Sequence, residues 1–331
     1  MSPDDELRRA DPALGDRTEQ TGFGPTELIP AATATLESDR EPDGRGRGTG
    51  RSQLARFRRR FLRHRLAVTA VVVLVGLAVV CFGASWFAPY DPKTQDLLLG
   101  PVGPSGSHWF GTDDLGRDQL SRLLYAGRIS LGIGFAVALL STLLGTVVGA
   151  LAGYFGRATD RTLMWVTDLF LVVPELAILA MALKYFGQAN WTIMAVLAGL
   201  FWMYAARVVR AQVLALKEHE FIEAARAAGA SPLRIVVRHI LPNAIGPIIV
   251  TATLAVAGAI IAESTLSFLG FGVQPPDTSW GNMLANAEGS IGTDQAYLLY
   301  FPGLAILLTV LAVNFLGDGL RDAFDPRSGR R

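Results

Sequence analysis

The first residues that could carry chemistry are a histidine and three aspartates in one short polar stretch. His108 lies close to Asp113, Asp114 and Asp118 along the chain. Imidazole and carboxylate groups are common metal ligands, but this spacing matches no familiar zinc or calcium ligand set. We therefore expect no metal and no cofactor here, because loops outside a membrane commonly hold scattered carboxylates.

The sequence also contains no motif that predicts catalysis or nucleotide binding. No serine, histidine and acid are grouped in a way that predicts a catalytic triad. The stretch Gly44 to Ser52 is rich in glycine and arginine, yet it lacks the spacing of a phosphate-binding loop, Gly, four residues, then Gly-Lys-Ser/Thr. We predict that the chain is not an enzyme.

Three carboxylates, Asp168, Glu175 and Glu263, stand in long apolar runs, where charged groups are costly. Asp168 and Glu175 are spaced to share one face of a helix, and Pro174 predicts a kink between them. Two interpretations stay open for each carboxylate. It could line a transport path, or it could be a packing feature, as when the Glu263 carboxylate accepts hydrogen bonds from nearby Ser or Thr.

Residues 217–242 predict two short helices joined at a tight corner, which we call the elbow. The stretch 217–228 is rich in Ala and Glu, both good helix formers. Gly229 is placed to end that helix in a left-handed turn. Ser231 can then cap a second helix that has Pro232 at its first position.

The second helix of the elbow carries an apolar stripe with the i, i+3, i+4, i+7 spacing of an amphipathic helix. The stripe consists of Leu233, Val236, Val237 and Ile240. Pro242 is expected to end this helix before the next apolar run. Such a face needs a covering surface, which is either this chain's own helix ends and the membrane interface, or a partner protein.

Long apolar helices must position all of these residues. Half of the 331 residues are hydrophobic, the mean hydropathy is +0.34, and a net charge of +1 gives no basic field for nucleic acid. Apolar runs of about twenty residues can cross a bilayer as helices. We predict an all-α polytopic membrane protein with about six transmembrane helices, at 66–87, 130–153, 162–183, 191–209, 246–270 and 297–317.

The positions of Lys and Arg predict the orientation of these spans. Basic residues concentrate before the first span, in the elbow loop and after the last span. If these segments are inside, inner Lys and Arg outnumber outer ones by about three to one, as the positive-inside rule requires. We predict a multi-pass protein of the cell's inner membrane with both termini cytoplasmic.

Three separated stretches, in order along the chain, together resemble one family of transport proteins. They are His108 to Asp118; Glu223-Ala224-Ala225 with Gly229 and then His239-Ile240-Leu241-Pro242-Asn243; and Glu263 to Gly272, followed by Pro275-Pro276 and Ser279-Trp280-Gly281. The chain resembles the permease subunits of binding-protein-dependent ABC importers, in the dipeptide, oligopeptide and nickel branch. The resemblance covers about 55–331.

The resemblance implies the type I ABC importer permease fold, in which a cytoplasmic loop, here 210–245, docks on an ATPase. The coupling residues would be Glu223, Ala224, Ala225, Gly229, Ser231, Pro232, His239, Pro242 and Asn243. The implied partners are a related permease subunit in a heterodimer, two ATP-binding subunits and an extracytoplasmic solute-binding protein. Short peptides are the expected cargo, with nickel chelates or other small solutes as alternatives.

These expectations divide the chain into four parts. They are a disordered cytoplasmic tail at 1–54, a first span with an extracytoplasmic segment at 55–129, a permease core at 130–317, and a cytoplasmic tail at 318–331. Two rival functions stay open. One is an ion-coupled carrier that works alone and uses the three carboxylates of the apolar runs as a relay. The other is a membrane scaffold whose elbow recruits a cytoplasmic protein.

Overall fold

The computed structural model describes residues 49–324, and the regular structure in this range is helical. The only strand-like pairing among these residues is a single bridge between Thr112 and Asp118. The helices are α1 Thr49–Arg63, α2 Arg65–Phe82, α3 Ala84–Phe87, α4 Gln119–Phe155, α5 Arg157–Val172, α6 Glu175–Phe186, α7 Asn190–Leu216, α8 Glu220–Ala227, α9 Pro232–Ile235, α10 Leu241–Phe268, α11 Trp280–Asn286 and α12 Tyr297–Phe324. A π turn, Val236–Ile240, joins α9 to α10.

Five helical segments in the described range are long and apolar enough to cross a membrane. They are α2, α4, α7, the continuous run Pro232–Phe268, and α12. A sixth span results if the bent pair α5 and α6 is counted as one. The prediction of an all-α membrane protein with about six transmembrane helices is therefore confirmed.

Several helices extend beyond the predicted spans. The second begins at Gln119 and not near 130, because Asp118 caps it by accepting a hydrogen bond from the Ser121 N–H at 2.8 Å. With 37 residues, α4 is about 55 Å long and exceeds a hydrocarbon core of about 30 Å. At the two ends of the chain, α1 begins inside the predicted tail 1–54 and α12 runs through Phe324, whereas 1–48 and 325–331 lie outside the described residues.

The third predicted span is broken at Pro174, where the sequence predicted only a kink. The axes of α5 and α6 differ by 88°. Val173, between them, has φ −77° and ψ 138°, an extended conformation that suits a residue before proline. Asp168 and Glu175 therefore belong to different helices, and the prediction that they share one helix face is wrong.

The centre of the bundle is the close contact of α4 with α7. Gly145, Gly149 and Gly153 follow one face of α4 and bring it against the α7 backbone. A Cβ on Gly149 would overlap the Ala206 carbonyl oxygen, and one on Gly153 would lie 2.8 Å from the Val213 Cβ. Small residues at every fourth position let membrane helices approach in this way.

The irregular segment between α3 and α4 is fixed to the start of α12. The Tyr297 hydroxyl donates to the Thr112 carbonyl oxygen at 2.7 Å and lies 3.0 Å from the Val102 carbonyl oxygen. The rings of Phe110 and Phe301 stack with centroids 3.9 Å apart. These contacts hold the segment over one end of the bundle, beside the start of α4.

Candidate functional site

The first helix of the elbow, α8, ends as predicted in a left-handed turn. Gly229 has φ +78°, its N–H donates to the Arg226 carbonyl at 3.0 Å, and the Ala230 N–H donates to the Ala225 carbonyl at 3.1 Å. This pair of bonds is a Schellman motif, which satisfies carbonyls that would otherwise lack partners at the helix end. The corner of the elbow is therefore closed by backbone hydrogen bonds.

The second helix begins as predicted but does not end at Pro242. Pro232 is its first residue and Ser231 takes the cap position, without a hydrogen bond from its side chain. The helix then passes through the π turn into α10, where the Leu241 N–H donates to the Val236 carbonyl five residues back. A wider turn makes room for the ring of Pro242, which would otherwise clash with a carbonyl of the preceding turn.

The same π turn changes which residues face inward, so the predicted apolar stripe is wrong. Leu233 and Val237 are 74% and 55% exposed, whereas Ile235 and Ile240 are 1% and 0% exposed. Two residues five apart share a face only where the helix is widened to i→i+5 bonding. Ile235 and Ile240 join Ile222 of α8 in a core with Ala150, Val209 and Val213.

The opposite face of the elbow is uncovered in the described part of the chain. It consists of Phe221, Glu223, Ala224, Ala227, Ala228, Gly229, Leu233 and Val237, all exposed. The elbow thus packs on its own helix ends with one face and leaves these residues open, and Arg226, Arg234 and Arg238 of the elbow are exposed as well. An open apolar face on a rigid support is suited to protein contact.

The remaining predicted coupling residues lie at the edges of this face. Ala225 and His239 are half-buried, whereas Ser231, Pro242 and Asn243 are exposed. The Asn243 side-chain amide donates to the His239 carbonyl at 2.6 Å. Pro232 is exposed too, so the predicted coupling residues all lie within the elbow except Asn243, which directly follows it.

The base of the elbow is tied to the preceding spans by charged contacts that sequence reasoning missed. Arg210 of α7 makes a two-point contact with Asp160 of α5, with Nη2 2.6 Å from Oδ2. The Lys217 ammonium lies 3.5 Å from the Gly153 carbonyl at the end of α4. No local sequence pattern predicts these pairs, because their members are far apart in the chain. The glycine repeat of α4, in contrast, was visible in the sequence as Gly-x-x-x-Gly-x-x-x-Gly.

Glu263 is fully buried among serines of three elements. The Ser267 hydroxyl donates to its carboxylate at 2.7 Å, and the Ser130 hydroxyl lies 3.4 Å from it. Ser130 also accepts from the Trp280 N–H at 3.1 Å, and Ser279 lies 3.2 Å from Ser267. Of the two interpretations of Glu263, these contacts support the hydrogen-bonded one, in which the carboxylate joins α4, α10 and α11.

The other two carboxylates lie apart from Glu263. Asp168 forms an exposed ion pair with Arg207 of α7 at 2.6 Å. Glu175 is half-buried in the first turn of α6. Within residues 49–324, no hydrogen bond joins any two of these three carboxylates. The structure does not assemble them into one cluster.

The histidine and aspartates before α4 make contacts that fix the start of that helix. Asp113 accepts from Arg117 Nε at 2.8 Å and also pairs with Arg122. His108 Nδ1 lies 2.9 Å from the Asp118 carboxylate that caps α4. The described residues contain no cluster of three or more His, Cys, Asp or Glu placed to hold a metal ion.

A bundle of five to six apolar helices long enough to cross a membrane, with the elbow at one end, defines a polytopic membrane protein. The sequence comparisons identify the kind. Residues 145–330 match the family described as binding-protein-dependent transport system inner membrane component, and 52–101 match the N-terminal transmembrane domain of oligopeptide transport permease C. The chain belongs to this family of inner-membrane transport components.

Individual relatives agree with this assignment. The oligopeptide transport system permease protein OppC of Mycobacterium tuberculosis (strain H37Rv) is 44% identical over 274 residues, which are 82% of this chain and 93% of the relative. A permease protein of Brucella suis biovar 1 is 42% identical over 276 residues, 83% of this chain and 91% of its own. The predicted family and the assignment to transport, without catalysis by this chain, are confirmed.

The fold is also found in a solved transporter. An inward-facing crystal form of the MetNI methionine ABC transporter matches with a TM-score of 0.51 at 21% identity, covering 62% of this chain and 96% of the matched chain. At this identity the similarity establishes the fold only. The predicted fold of an ABC importer permease is confirmed.

Proposed function

We propose that this chain is the permease subunit of an ATP-driven importer of short peptides. The proposal is supported by the family and by relatives named for oligopeptide transport. In this proposal a related permease subunit completes the path as a heterodimer, two ATP-binding subunits dock from the cytoplasm, and an extracytoplasmic binding protein delivers the substrate. Both termini are cytoplasmic, in accord with the positive-inside rule.

The observation that carries the proposal is the uncovered apolar face of the elbow. Its supporting face is fully buried through Ile222, Ile235 and Ile240, so the elbow is held firmly. Its outer face exposes Ala224 and Ala228 beside Gly229, which together form a shallow surface without long side chains. We assign this face to the ATP-binding subunit.

The continuity of the second elbow helix with α10 suggests how a push at the elbow reaches the substrate path. The run Pro232–Phe268 is one long helical segment, and it ends beside Glu263 and the serines that join it to α4 and α11. A rigid helix moves as a unit, so displacement at the elbow shifts the far end of the bundle. ATP can drive transport in this way only if its binding stabilises one conformation of the bundle more than the other.

We assign the wall of the translocation path to the broken span. Asp168 and Glu175 lie on the two helices that flank the break, and on the same helices Trp165 and Tyr185 expose 65% and 85% of their surface. Aromatic surface of this extent requires lipid or a second permease subunit to cover it. In this proposal Glu263 is a positioning residue, because its hydrogen bonds fix the end of α10 that is distant from the elbow.

Site-directed crosslinking tests the docking assignment directly. Cys81, the only cysteine of the chain, is 3% exposed and therefore gives little background. We expect Ala228→Cys, on the open face, to crosslink to the ATP-binding subunit in assembled membranes. Ala244→Cys is the matched control, because Ala244 is fully buried at the start of α10. Absence of any nucleotide-binding protein from the Ala228→Cys products would refute the assignment.

A further inference from the structure

A cavity of about 1000 Å³ lies at the end of the bundle opposite the elbow. Its walls come from the segment before α4, from the first turns of α4 and from the segment 275–287. The two sites are at opposite ends because α4 starts at the cavity with Gln119 and finishes near the elbow, where Gly153 meets Lys217. Pockets for small ligands have volumes of about 300–1,000 Å³, so this cavity can hold a short peptide.

One wall of the cavity has an excess of positive charge. Arg117 and Arg122 share the carboxylate of Asp113, and Lys93 and Asp114 line the cavity beside them, so three cations face two carboxylates in this group. Arg128 also lines the cavity, and no ion pair joins it to a carboxylate among residues 49–324. Arg128 is exposed in the third turn of α4 and borders the cavity, so its guanidinium is open to a ligand.

The opposite wall carries amides and a carboxylate. Asn190 and Asn282 line it together with Asp277, and the Asn190 side-chain amide donates to the Asp277 carboxylate at 2.9 Å. Asparagine side chains can donate to and accept from peptide groups. The Asn282 amide already bonds to Thr278, Asn286 and the Val273 carbonyl, so Asn190 is the amide of this wall with capacity for a ligand. A cation on one side with amides and an acid on the other suits a molecule that has a negative end, peptide groups and a positive end.

We propose that Arg128 binds the free α-carboxylate of a short peptide in this cavity. A guanidinium can hold a carboxylate through two parallel hydrogen bonds, which adds both strength and orientation. The inference rests on the proposed function, since it requires that peptides enter this permease. It assigns to this chain a recognition step for the carboxyl end of the substrate.

The test compares one peptide with a free carboxylate to the same peptide with a C-terminal amide. Uptake is measured in proteoliposomes that contain the complete transporter, over a range of concentrations of binding protein that is saturated with each peptide. We expect the wild-type transporter to prefer the free acid. Arg128→Gln should raise the apparent KM for the acid by about tenfold or more, the scale of a lost charge-assisted hydrogen bond, and leave the amide unchanged. Arg128→Lys should restore part of the preference.

Lys184→Gln is the matched control, because Lys184 is an exposed cation in the last turn of α6 and lies outside the walls of this cavity. An unchanged acid-to-amide ratio in Arg128→Gln would overturn the proposal. An equal loss for both peptides would also overturn it, by assigning Arg128 to a carboxylate of the binding protein. If the wild-type transporter moves neither peptide, the proposed function is refuted together with the site. If it moves both peptides but the Arg128→Gln ratio is unchanged, only the site is refuted.

Discussion

Replacing Gly229 by glutamate separates folding of the elbow from its docking. Gly229 lies at the tip of the elbow with φ +78°, and a Cβ added there meets nothing within 4 Å. The new side chain therefore causes no clash within the chain and projects from the open face. It introduces a negative charge at the centre of the surface that we assign to the ATP-binding subunit.

The expected cost of this substitution is small for folding and large for docking. An ordinary residue in the left-handed conformation costs about 1–2 kcal/mol, which a bundle with several buried cores tolerates. A carboxylate enclosed in a protein contact without a partner costs about 3–5 kcal/mol. At about 1.4 kcal/mol for each factor of ten, docking weakens by more than about a hundredfold. We expect the variant to insert and fold but to lose its ATP-binding subunits and its uptake.

The assay is co-purification of the ATP-binding subunits with the tagged permease, together with uptake in proteoliposomes. Gly270→Glu is the matched control, because Gly270 has φ +84°, open space around it and the same Schellman pair of hydrogen bonds after α10. Gly229→Ala reproduces the backbone strain without the charge, so it should keep its partners. Wild-type assembly and uptake in Gly229→Glu would refute the coupling role of the elbow.

Three further substitutions test the packing and the ion pairs. Gly149→Leu should destabilise the bundle by about 3 kcal/mol, because its Cβ overlaps the α7 backbone, whereas Gly132→Leu on the same helix meets open space; equal thermal stability of the two variants would contradict this. Asp168→Asn should change stability by less than about 1 kcal/mol, since its ion pair is exposed; a large fall in the unfolding midpoint would show that this pair does more. Asp113→Ala should cost about 3–5 kcal/mol, because it leaves the buried Arg122 guanidinium without its carboxylate; a variant with the unfolding midpoint of the wild type would refute this role.

The break at Pro174 shows how far local rules reach. A proline within an apolar run predicts a disturbed helix, and Val173 takes the extended conformation that such a neighbour favours. The size of the bend, 88°, depends on how α6 packs on α7, with Leu179 and Leu183 buried in a shared core. Local sequence rules therefore predict where the helix breaks but not the angle of the bend.

The elbow shows a similar division. The left-handed turn at Gly229 and the start of a helix at Pro232 follow from residue types at fixed positions, so they were predictable. The π turn was not, because it arises where Pro242 must fit into a helix that continues into α10. That turn exchanges the inward side chains, burying Ile235 in place of Leu233.

The sequence by itself determined the membrane class, the approximate spans, the corner of the elbow and the family, because these depend on length, hydropathy and local turn chemistry. Only the tertiary structure decided which face of the elbow is open, that Glu263 is enclosed by serines, and that Arg128 lines a cavity without an ion-pair partner in the described residues. These features depend on contacts between residues far apart in the chain, and such contacts exist only once α4, α7 and α10 are packed together.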